Sequence, residues 1–242
     1  MSGTEKIWII GGGSGIGAAL AAAFAAEGAI VVISGRNQEA LEQIIAPLGP
    51  VHGAIAADVT DVESLESAAR AHGPFDRIIT SAALYDPGAV RSADQDKAEA
   101  IIQANLTGTF NVARVGARHL RKGGQLVLFG SPAAIFGLPQ GQVYSATKAG
   151  IVNLAESLRA ELWPEVDVRL VTPGFVRTRL TDQNSFAMPA MLEPEVAARR
   201  ILRGLNRKGF EIAFPRRLIW PLRLLAMLPR PLAFALTGRL RQ

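Results

Sequence analysis

Between Lys6 and Gly17 the chain reads Lys6-Ile7-Trp8-Ile9-Ile10-Gly11-Gly12-Gly13-Ser14-Gly15-Ile16-Gly17. The apolar run at its start predicts a buried strand at Lys6–Ile10. Five of the next seven residues are glycines, which predicts a tight turn, because glycine adopts positive φ angles without steric strain. The alanine-rich residues 14–27 then predict a helix that stops at Gly28. This strand–turn–helix order is typical of a parallel α/β unit.

The same alternation of short β-branched runs and longer helical patterns continues along the chain. Further strands are predicted at 30–34, 51–58, 77–81, 125–130, 166–172 and 210–214. Helices are predicted between them, at 38–48, 62–72 (with Asp61 as N-cap), 94–120 (one helix or two), around Tyr144, and at 197–206. The pattern indicates one α/β domain over residues 1–214, a doubly wound, Rossmann-like parallel sheet of about seven strands with helices on both faces. Such sheets bind ligands at the carboxyl ends of their strands.

The composition excludes several kinds of site. The chain of 242 residues has no cysteine, so a disulfide framework and a thiolate metal site are excluded. Its histidines are scattered at 52, 72 and 119, and we predict no metal site. The uncharged run from Ile7 to Ala26 is long enough for a membrane span or a signal peptide, but its glycine turn and the acidic Glu5 before it argue against both.

The glycine turn favours a dinucleotide site. Glycine lets the backbone approach a pyrophosphate, and the next helix offers free N–H groups and the positive end of its dipole. Two registers fit, Gly13-x-Gly15-x-x-Ala18 and the spaced variant Gly11-x-x-x-Gly15-x-Gly17, which starts directly after the strand and is preferred. A plain strand–helix turn is the alternative. The cofactor contacts predicted here are Gly11, Gly13, Ser14, Gly15, Ile16 and Gly17.

The ends of the second and third strands favour a phosphorylated cofactor. NAD sites place an acid after the second strand to bind ribose hydroxyls, and this chain has Arg36 there instead. A guanidinium is the natural partner of a 2′-phosphate, so NADP(H) is predicted over NAD(H), which stays the alternative. An exposed arginine at a helix start would look the same. Asp58 is placed to accept a hydrogen bond from an adenine amino group, or to cap the next helix.

Tyr144 and Lys148 are spaced to share one face of a helix. Apolar residues recur at helical spacing through this segment, and Pro164 ends the run. A phenol titrates near pH ~10, and a neighbouring ammonium favours the phenolate. We therefore predict a lowered pKa for Tyr144 and a donor and acceptor of protons for a carbonyl/alcohol pair. A half-buried tyrosine beside a solvated lysine is the alternative, because this spacing occurs in many helices.

Taken together, these residues resemble the short-chain dehydrogenase/reductase family over about residues 5–214. The matches cover its cofactor loop, its adenine-contacting stretch, its catalytic asparagine and serine, its Tyr-x-x-x-Lys pair and its Pro-Gly segment beside the nicotinamide. In chain order they are Gly11, Gly15, Gly17, Asp58-Val59, Asn105-Leu106-Thr107-Gly108, Ser131, Tyr144, Lys148 and Pro173-Gly174-Phe175-Val176-Arg177-Thr178.

The resemblance implies a role for each matched residue. Tyr144 gives a proton to a carbonyl or takes one from an alcohol, while Lys148 lowers the pKa of Tyr144 and binds the nicotinamide ribose. Ser131 hydrogen-bonds the substrate oxygen, and the backbone carbonyl of Asn105 holds a water that links Lys148 to solvent. Taken alone, Ser131 reads as a cap and Asn105 as a polar residue inside a helix. The remaining cofactor contacts implied are Asp58, Val59, Ser81, Ala82, Pro173, Gly174, Val176 and Thr178.

Two stretches depart from the family pattern. Thr80-Ser81-Ala82-Ala83 replaces the usual Asn-Asn-Ala-Gly, and Ile10 replaces a threonine. In the family these stretches hydrogen-bond each other and brace the sheet beside the cofactor. We hypothesise that the hydroxyls of Thr80 and Ser81 replace part of this brace.

Residues 179–195 match the family's mobile lid over the substrate. Phe186, Met188 and Met191 in this segment favour an apolar substrate. A variable surface loop without a role in binding is the alternative.

Residues 215–242 are predicted to form a basic and apolar C-terminal extension. Residues 199–242 hold eleven Lys/Arg and one acid, whereas the rest of the chain is mildly acidic. Arg216, Arg223 and Arg230 recur every seven residues, which predicts a basic stripe on a helix, although prolines limit the helix to short pieces. A membrane surface is one expected partner; docking on the domain's own core or a subunit contact are the alternatives. No nucleic-acid recognition motif is present, and no nucleic-acid partner is predicted.

The first functional hypothesis is an NADP(H)-dependent carbonyl reductase or alcohol dehydrogenase with an apolar alcohol or ketone as its small-molecule substrate. The alternatives are a nucleotide-binding regulatory protein without turnover, and an epimerase or lyase on the same fold. The resemblance implies a homo-oligomer, a dimer or a tetramer. The expected location is the cytoplasm, with association at the inner membrane face if the extension binds lipid.

Overall fold

The computed structural model describes residues 4–183 and 188–238 of the chain. Within these residues seven strands form one parallel sheet in the order β3-β2-β1-β4-β5-β6-β7. The strands are β1 (Lys6–Ile10), β2 (Ile30–Gly35), β3 (Gly53–Ala56), β4 (Phe75–Thr80), β5 (Leu120–Phe129), β6 (Val166–Pro173) and β7 (Glu211–Phe214). The strand order reverses between β1 and β4, which is the doubly wound arrangement predicted from the sequence.

Helices connect the strands and cover both faces of the sheet. In the described residues they are α1 (Gly15–Ala26), α2 (Gln38–Ile45), α3 (Val62–His72), α4 (Gln95–Ile101), α5 (Gly108–His119), α6 (Gln142–Leu162), α7 (Pro194–Leu205), α8 (Arg216–Met227) and α9 (Arg230–Thr237). A π-helical segment, Ile102–Thr107, joins α4 to α5. Asp61 caps α3 as predicted, because its side chain accepts hydrogen bonds from two backbone amides of the first turn.

Alternate side chains of β1 divide the hydrophobic core into two layers. Ile7 and Ile9 pack in a cluster with residues of α1, α2 and α7. Trp8 and Ile10 point the other way, into a cluster with residues of α3, α5 and α6. All four side chains are at most 1% exposed, as expected for a strand that is covered on both faces. The predicted fold class is therefore confirmed.

The third and fifth strands differ most from the prediction, whereas the ends of the other strands agree to within two residues. The third strand was expected over residues 51–58 and forms only at Gly53–Ala56, since Val51 is 65% exposed and β3 is the edge of the sheet. The fifth strand begins earlier than expected, at Leu120, which pairs with Phe75 across an irregular register. Gly123 in this segment has a φ of 79°, a conformation that periodicity alone does not reveal.

The C-terminal extension packs on the domain instead of forming one striped helix. The predicted stripe of Arg216, Arg223 and Arg230 is wrong: α8 ends at Met227, and Arg230 begins a new helix. Arg223 turns inward and forms an ion pair with Glu211 of β7. Arg230 lies over the ring of Phe136, with its guanidinium carbon 5.4 Å from the ring centroid. None of the helices in the described residues is long and apolar enough to cross a bilayer.

Candidate active site

The carboxyl ends of the central strands open into a cleft of about 1300 Å³. This volume exceeds the roughly 300–1,000 Å³ of a pocket for a drug-sized ligand, so a dinucleotide and a substrate fit together. The cleft brings together every residue predicted for the site except Asn105. These residues are Gly11, Gly13, Ser14, Gly15, Ile16, Gly17, Arg36, Asp58, Val59, Ser81, Ala82, Ser131, Tyr144, Lys148, Pro173, Gly174, Val176 and Thr178.

The glycine turn at the floor of the cleft distinguishes the two registers. A Cβ atom on Gly17 would lie 2.2 Å from the carbonyl oxygen of Gly11, and one on Gly11 would lie 2.5 Å from the backbone nitrogen of Ala82. Gly15 has a φ of 53°, and a Cβ there would lie 2.8 Å from the side chain of Thr178. On Gly13 a Cβ would meet only Leu41, at 3.4 Å. The steric requirement for glycine therefore follows the preferred spaced register, and it leaves the cradle open for a bulky group such as a pyrophosphate.

Ser81 braces this turn in the way that the sequence suggested. Its backbone N–H donates to the carbonyl of Ile10 at 2.8 Å. Its hydroxyl lies within 3.2 Å of the same carbonyl and 3.3 Å of the carbonyl of Gly11. Thr80 is buried in β4, and in the part of the chain that the structure describes its hydroxyl makes no such bond. Ser81, and not Thr80, therefore carries the contact that the family makes with asparagine and threonine.

Arg36 and Asp58 lie at the end of the cleft where an adenosine would be expected. Arg36 is exposed, and among the described residues no carboxylate lies within ion-pair distance of it, so its guanidinium can receive a phosphate. One carboxylate oxygen of Asp58 accepts hydrogen bonds from the N–H and the hydroxyl of Thr60, at 2.9 and 2.8 Å. Asp61 caps α3, so the alternative reading of Asp58 as that cap is wrong. Val59 lies beside Asp58, largely buried.

Tyr144 and Lys148 lie one turn apart near the start of α6 and both line the cleft, with the lysine Nζ atom 5.7 Å from the ring centroid of the tyrosine. Lys148 is buried and donates from Nζ to the carbonyl of Phe129 at 2.9 Å. Burial lowers the pKa of Lys148 to about 8. Lys148 therefore lies beside the ring of Tyr144, and the catalytic role of the pair stays a prediction.

The predicted direction of the Tyr144 pKa is wrong in this structure. Burial raises the pKa of Tyr144 to about 12, a hydrogen bond with Ser131 acts to lower it, and Tyr85 raises it further. Removal of the phenol from water disfavours its charged form, and this effect exceeds that of the hydrogen bond with Ser131. A phenol in this state is protonated at neutral pH and can donate its proton.

Ser131 is positioned by the turn that follows β5. Its hydroxyl accepts a hydrogen bond from the N–H of Ala133 at 3.2 Å and so caps a short 3₁₀ turn, Pro132–Ala134. Ser131 also lies close enough to Tyr144 to lower the pKa of its phenol. The cap and the contact with the phenol therefore coexist, and the alternative reading as a cap serine does not compete with a role in the site.

Asn105 lies behind the cleft wall. Its side-chain oxygen accepts from the N–H of Leu84 at 2.7 Å, and its amide donates to the carbonyl of the same residue at 2.9 Å. The π-helical segment shifts the helical hydrogen bonds here, and the carbonyl of Asn105 accepts from the hydroxyl of Thr109. Asn105 thus fastens the segment after β4 to the helix pair, and the water that was predicted on its carbonyl stays a prediction.

The Pro-Gly segment and the residues after it line the side of the cleft where the nicotinamide is expected. Val176 pairs with Leu192 in a parallel bridge, and Thr181 donates from its hydroxyl to the carbonyl of Val176 at 2.8 Å. The backbone N–H of Thr178 donates to the hydroxyl of Thr181 at 3.0 Å. The segment that carries Thr178 is therefore fixed from both sides. Phe186, which supported the prediction of an apolar substrate, lies outside the described residues.

Tyr85, Leu218 and Leu222 are among the cleft residues that the sequence prediction missed. The ring of Tyr85 lies edge-on to Tyr144, with ring centroids 4.7 Å apart. Leu218 and Leu222 reach the cleft from α8. The spacing of Leu218 and Leu222 on a helix was visible in the sequence, but the cleft they face was not. Tyr85 has no motif, and only its place five residues after the end of β4 could have indicated it.

Comparison with known proteins identifies the family. The family model described as short chain dehydrogenase matches residues 5–188. The chain is 31% identical over 243 residues to an uncharacterised oxidoreductase of Myxococcus xanthus, with 96% of each chain covered. It is 29% identical over 185 residues to the 3-oxoacyl-(acyl-carrier-protein) reductase MabA of Mycobacterium tuberculosis, which covers 74% of this chain and 72% of MabA.

A solved structure extends the likeness to the C-terminal extension. A short chain dehydrogenase from Burkholderia cenocepacia, solved in complex with NADP, superposes with a TM-score of 0.85 at 26% identity and covers 97% of each chain. The fold, the family match and the relative that is similar over its full length agree. The chain belongs to the short-chain dehydrogenase/reductase family of NAD(P)-dependent oxidoreductases.

Proposed function

We propose that the protein is an NADP(H)-dependent oxidoreductase that transfers a hydride between the nicotinamide and an apolar alcohol or ketone. The observation that carries the proposal is the joint placement of Tyr144, Ser131 and Lys148 on one wall of a cleft whose floor is the glycine turn. The solved relative from Burkholderia cenocepacia, described as a complex with NADP, supports the choice of cofactor.

The residues of the chain would divide the work as follows. The glycine turn and the start of α1 bind the pyrophosphate, and Arg36 receives the 2′-phosphate. The cofactor, when bound, supplies or accepts the hydride. Tyr144 donates its proton to the carbonyl oxygen of the substrate as charge develops there, and Ser131 stabilises the same oxygen by a hydrogen bond. Lys148 lies beside the phenol and stabilises the phenolate that remains after the proton has left.

Without bound cofactor, Tyr144 is in the protonation state that reduction of a ketone uses. Burial raises the pKa of this phenol to about 12, so at neutral pH it holds the proton that a ketone needs. Oxidation of an alcohol requires the phenolate instead, which has to be stabilised by a further positive charge.

The cleft wall opposite the glycine turn supports an apolar substrate. Leu218 and Leu222 line the cleft there, together with Leu138 and the ring of Tyr85. The relative MabA is by name a reductase of 3-oxoacyl groups, which are ketones on an acyl chain. We propose the same general class of substrate, a ketone on an apolar body.

The experiment that tests the function is Tyr144→Phe together with a screen of apolar ketones against NADPH. The wild-type protein should consume NADPH with at least one ketone, followed by the absorbance of the reduced nicotinamide. Tyr144→Phe should lower this rate by about 10²–10⁴-fold, the usual contribution of general acid catalysis, and should keep its affinity for NADPH. Binding of NADPH by both proteins without turnover would favour the regulatory alternative. Conversion of substrate without a net change of NADPH would favour an epimerase or lyase.

We also propose that the protein is a homo-oligomer. Ile102 and Phe110 are 41% and 46% exposed near the junction of α4 and α5, which is a large apolar exposure for a helix surface. Light scattering on the purified protein tests this, and a monomer at micromolar concentration would contradict it. A cytoplasmic location stays a prediction.

A further inference from the structure

Exposed apolar side chains are concentrated in the C-terminal extension. In residues 4–183 and 188–238 the structure shows twelve large apolar side chains that are exposed, and seven of them lie between Trp220 and Leu236. Soluble proteins seldom leave such groups together on the surface without a partner. The tail surface consists of Trp220, Leu224, Met227, Leu232 and Leu236, which are 49–80% exposed.

The helix α8 has two apolar faces with different surroundings. On the inner face Ile219 is buried, and Leu218 and Leu222 line the active-site cleft. On the outer face Trp220, Leu224 and Met227 follow one another at spacings of four and three residues, so they form one exposed stripe. A helix that only covered the cleft would need apolar residues on its inner face and polar residues on its outer face.

Charge complementarity indicates what covers the outer face. From Ile212 to the last residue the chain has six arginines and no acid. Arg216 and Arg217 are exposed at the start of α8, whereas Arg223 is neutralised by Glu211. A basic rim around apolar and tryptophan side chains is the combination that lies at the surface of an anionic bilayer, with the apolar groups in the boundary of the acyl chains.

A second copy of the chain fits this surface less well. A two-fold contact would bring together two copies of a patch that carries exposed Arg216 and Arg217 and has no acid from residue 212 onward to pair with them. Such like charges oppose association. A lipid surface instead meets the arginines with phosphate groups, and it accepts an apolar surface of any outline.

We propose that the tail surface binds the surface of bilayers that contain anionic lipids, with α8 and α9 in the plane of the interface. The prolines at 221, 229 and 231 and the short helices agree with a helix pair that lies on a membrane. The proposal does not depend on the proposed reaction, because binding to lipid can be measured without turnover. In this arrangement the extension lies on the membrane surface and does not cross the bilayer.

The three tryptophans of the chain provide a matched test. Trp8 is buried in the core, and Trp163 and Trp220 are each 57% exposed. Trp163 lies between α6 and the start of β6, at the amino edge of the sheet, on the opposite side from the cleft. Trp163→Phe leaves Trp220 as the exposed reporter, and Trp220→Phe leaves Trp163. We expect the emission of the first variant to shift to the blue with vesicles of phosphatidylcholine and phosphatidylglycerol, and that of the second to stay unchanged.

Flotation with the same vesicles measures the affinity. The double variant Trp220→Ser, Leu224→Ser should lower the fraction bound by about tenfold or more, since it removes two side chains that would be buried in lipid. Trp163→Ser should float like the wild type. The wild type should not float with phosphatidylcholine alone, and salt should weaken its binding to the anionic vesicles. Equal flotation of the double variant and the wild type would overturn the proposal.

A second pair of variants removes any doubt that arises from folding. Arg216→Glu with Arg217→Glu changes two exposed charges on the extension, and Lys122→Glu with Lys208→Glu makes the same change of net charge elsewhere on the exposed surface. Only the first pair should abolish the preference for anionic vesicles, with the melting temperature of both pairs unchanged. If the first pair alters instead the oligomeric state and leaves flotation intact, a second copy covers the surface and the proposal is wrong.

Discussion

Lys148 and Tyr144 are both desolvated, and the two side chains respond in opposite directions. Burial lowers the pKa of the lysine to about 8 and raises that of the tyrosine to about 12, so both are driven toward their neutral forms. This is the reverse of the simple ion pair expected from the sequence. A site of this kind holds its proton until positive charge or a developing oxyanion enters the cleft.

The desolvation of Lys148 should make the free energy of unfolding depend on pH. The pKa of Lys148 is about 8 in the folded chain and near 10.5 in the unfolded chain, so between these pH values the unfolded chain holds more protons and the free energy of unfolding rises with pH. Lys148→Met removes this dependence. The difference in unfolding free energy, wild type minus variant, should therefore grow by up to about 3 kcal/mol from pH ~7 to pH ~10. Urea unfolding at both pH values measures this difference. The contribution of Tyr144 to the unfolding free energy cancels, because both proteins contain this tyrosine. A difference that is independent of pH would contradict the burial of a titrating lysine.

Arg36 carries the prediction about the cofactor. Arg36→Ala should weaken binding of NADPH by about ten- to hundredfold, the usual size of a lost hydrogen bond to a charged group, and should change NADH binding little. Fluorescence titration with both nucleotides measures the two affinities. An equal loss of affinity for NADPH and for NADH would mean that Arg36 does not contact the 2′-phosphate.

The turn between β1 and α1 is the element in which backbone geometry fixes the sequence most strictly. Gly17→Ala would drive a methyl group to within 2.2 Å of a backbone carbonyl, whereas Gly13→Ala places it 3.4 Å from a flexible leucine. We expect Gly17→Ala to lower the free energy of unfolding by about 1–3 kcal/mol, as overpacking usually does, and to weaken NADPH binding. Gly13→Ala should be close to neutral on stability. Thermal and urea unfolding of the two variants check this. A similar loss of unfolding free energy in both variants would favour the register Gly13-x-Gly15-x-x-Ala18.

Elements with a strong local pattern could be predicted, and those decided by distant contacts could not. The periodicity of residues 143–162 predicted α6, and glycine spacing predicted the turn, because both depend on neighbours in the sequence. The early start of β5 and the ion pair of Arg223 depend on Phe75 and Glu211, which the local pattern does not include. The break before Arg230 follows from the prolines at 229 and 231, which the sequence already showed. The pKa of Tyr144 depends on its burial, which no local pattern reports.

The molecule as a whole uses its C-terminal extension as part of the cleft wall. Leu222 faces the cleft, and Leu224 on the same helix is 59% exposed to the outside. Leu222→Trp should narrow the substrate side, raise KM for ketones with large apolar bodies by about tenfold, and leave the affinity for NADPH unchanged. Leu224→Trp is the matched control and should leave both quantities unchanged. Steady-state kinetics with a series of ketones measure the effect, and equal KM values for Leu222→Trp and the wild type would place the substrate elsewhere.

The two-sided helix α8 has a consequence for kinetics. One side of a helix only about 10 Å across touches the cleft, and the other carries Trp220 and Leu224. On a lipid surface, a poorly water-soluble ketone would reach the cleft by lateral diffusion within the leaflet and not through the aqueous phase. The saturation curve would then follow the mole fraction of ketone among the lipids, and added inert phospholipid would inhibit the reaction by dilution alone.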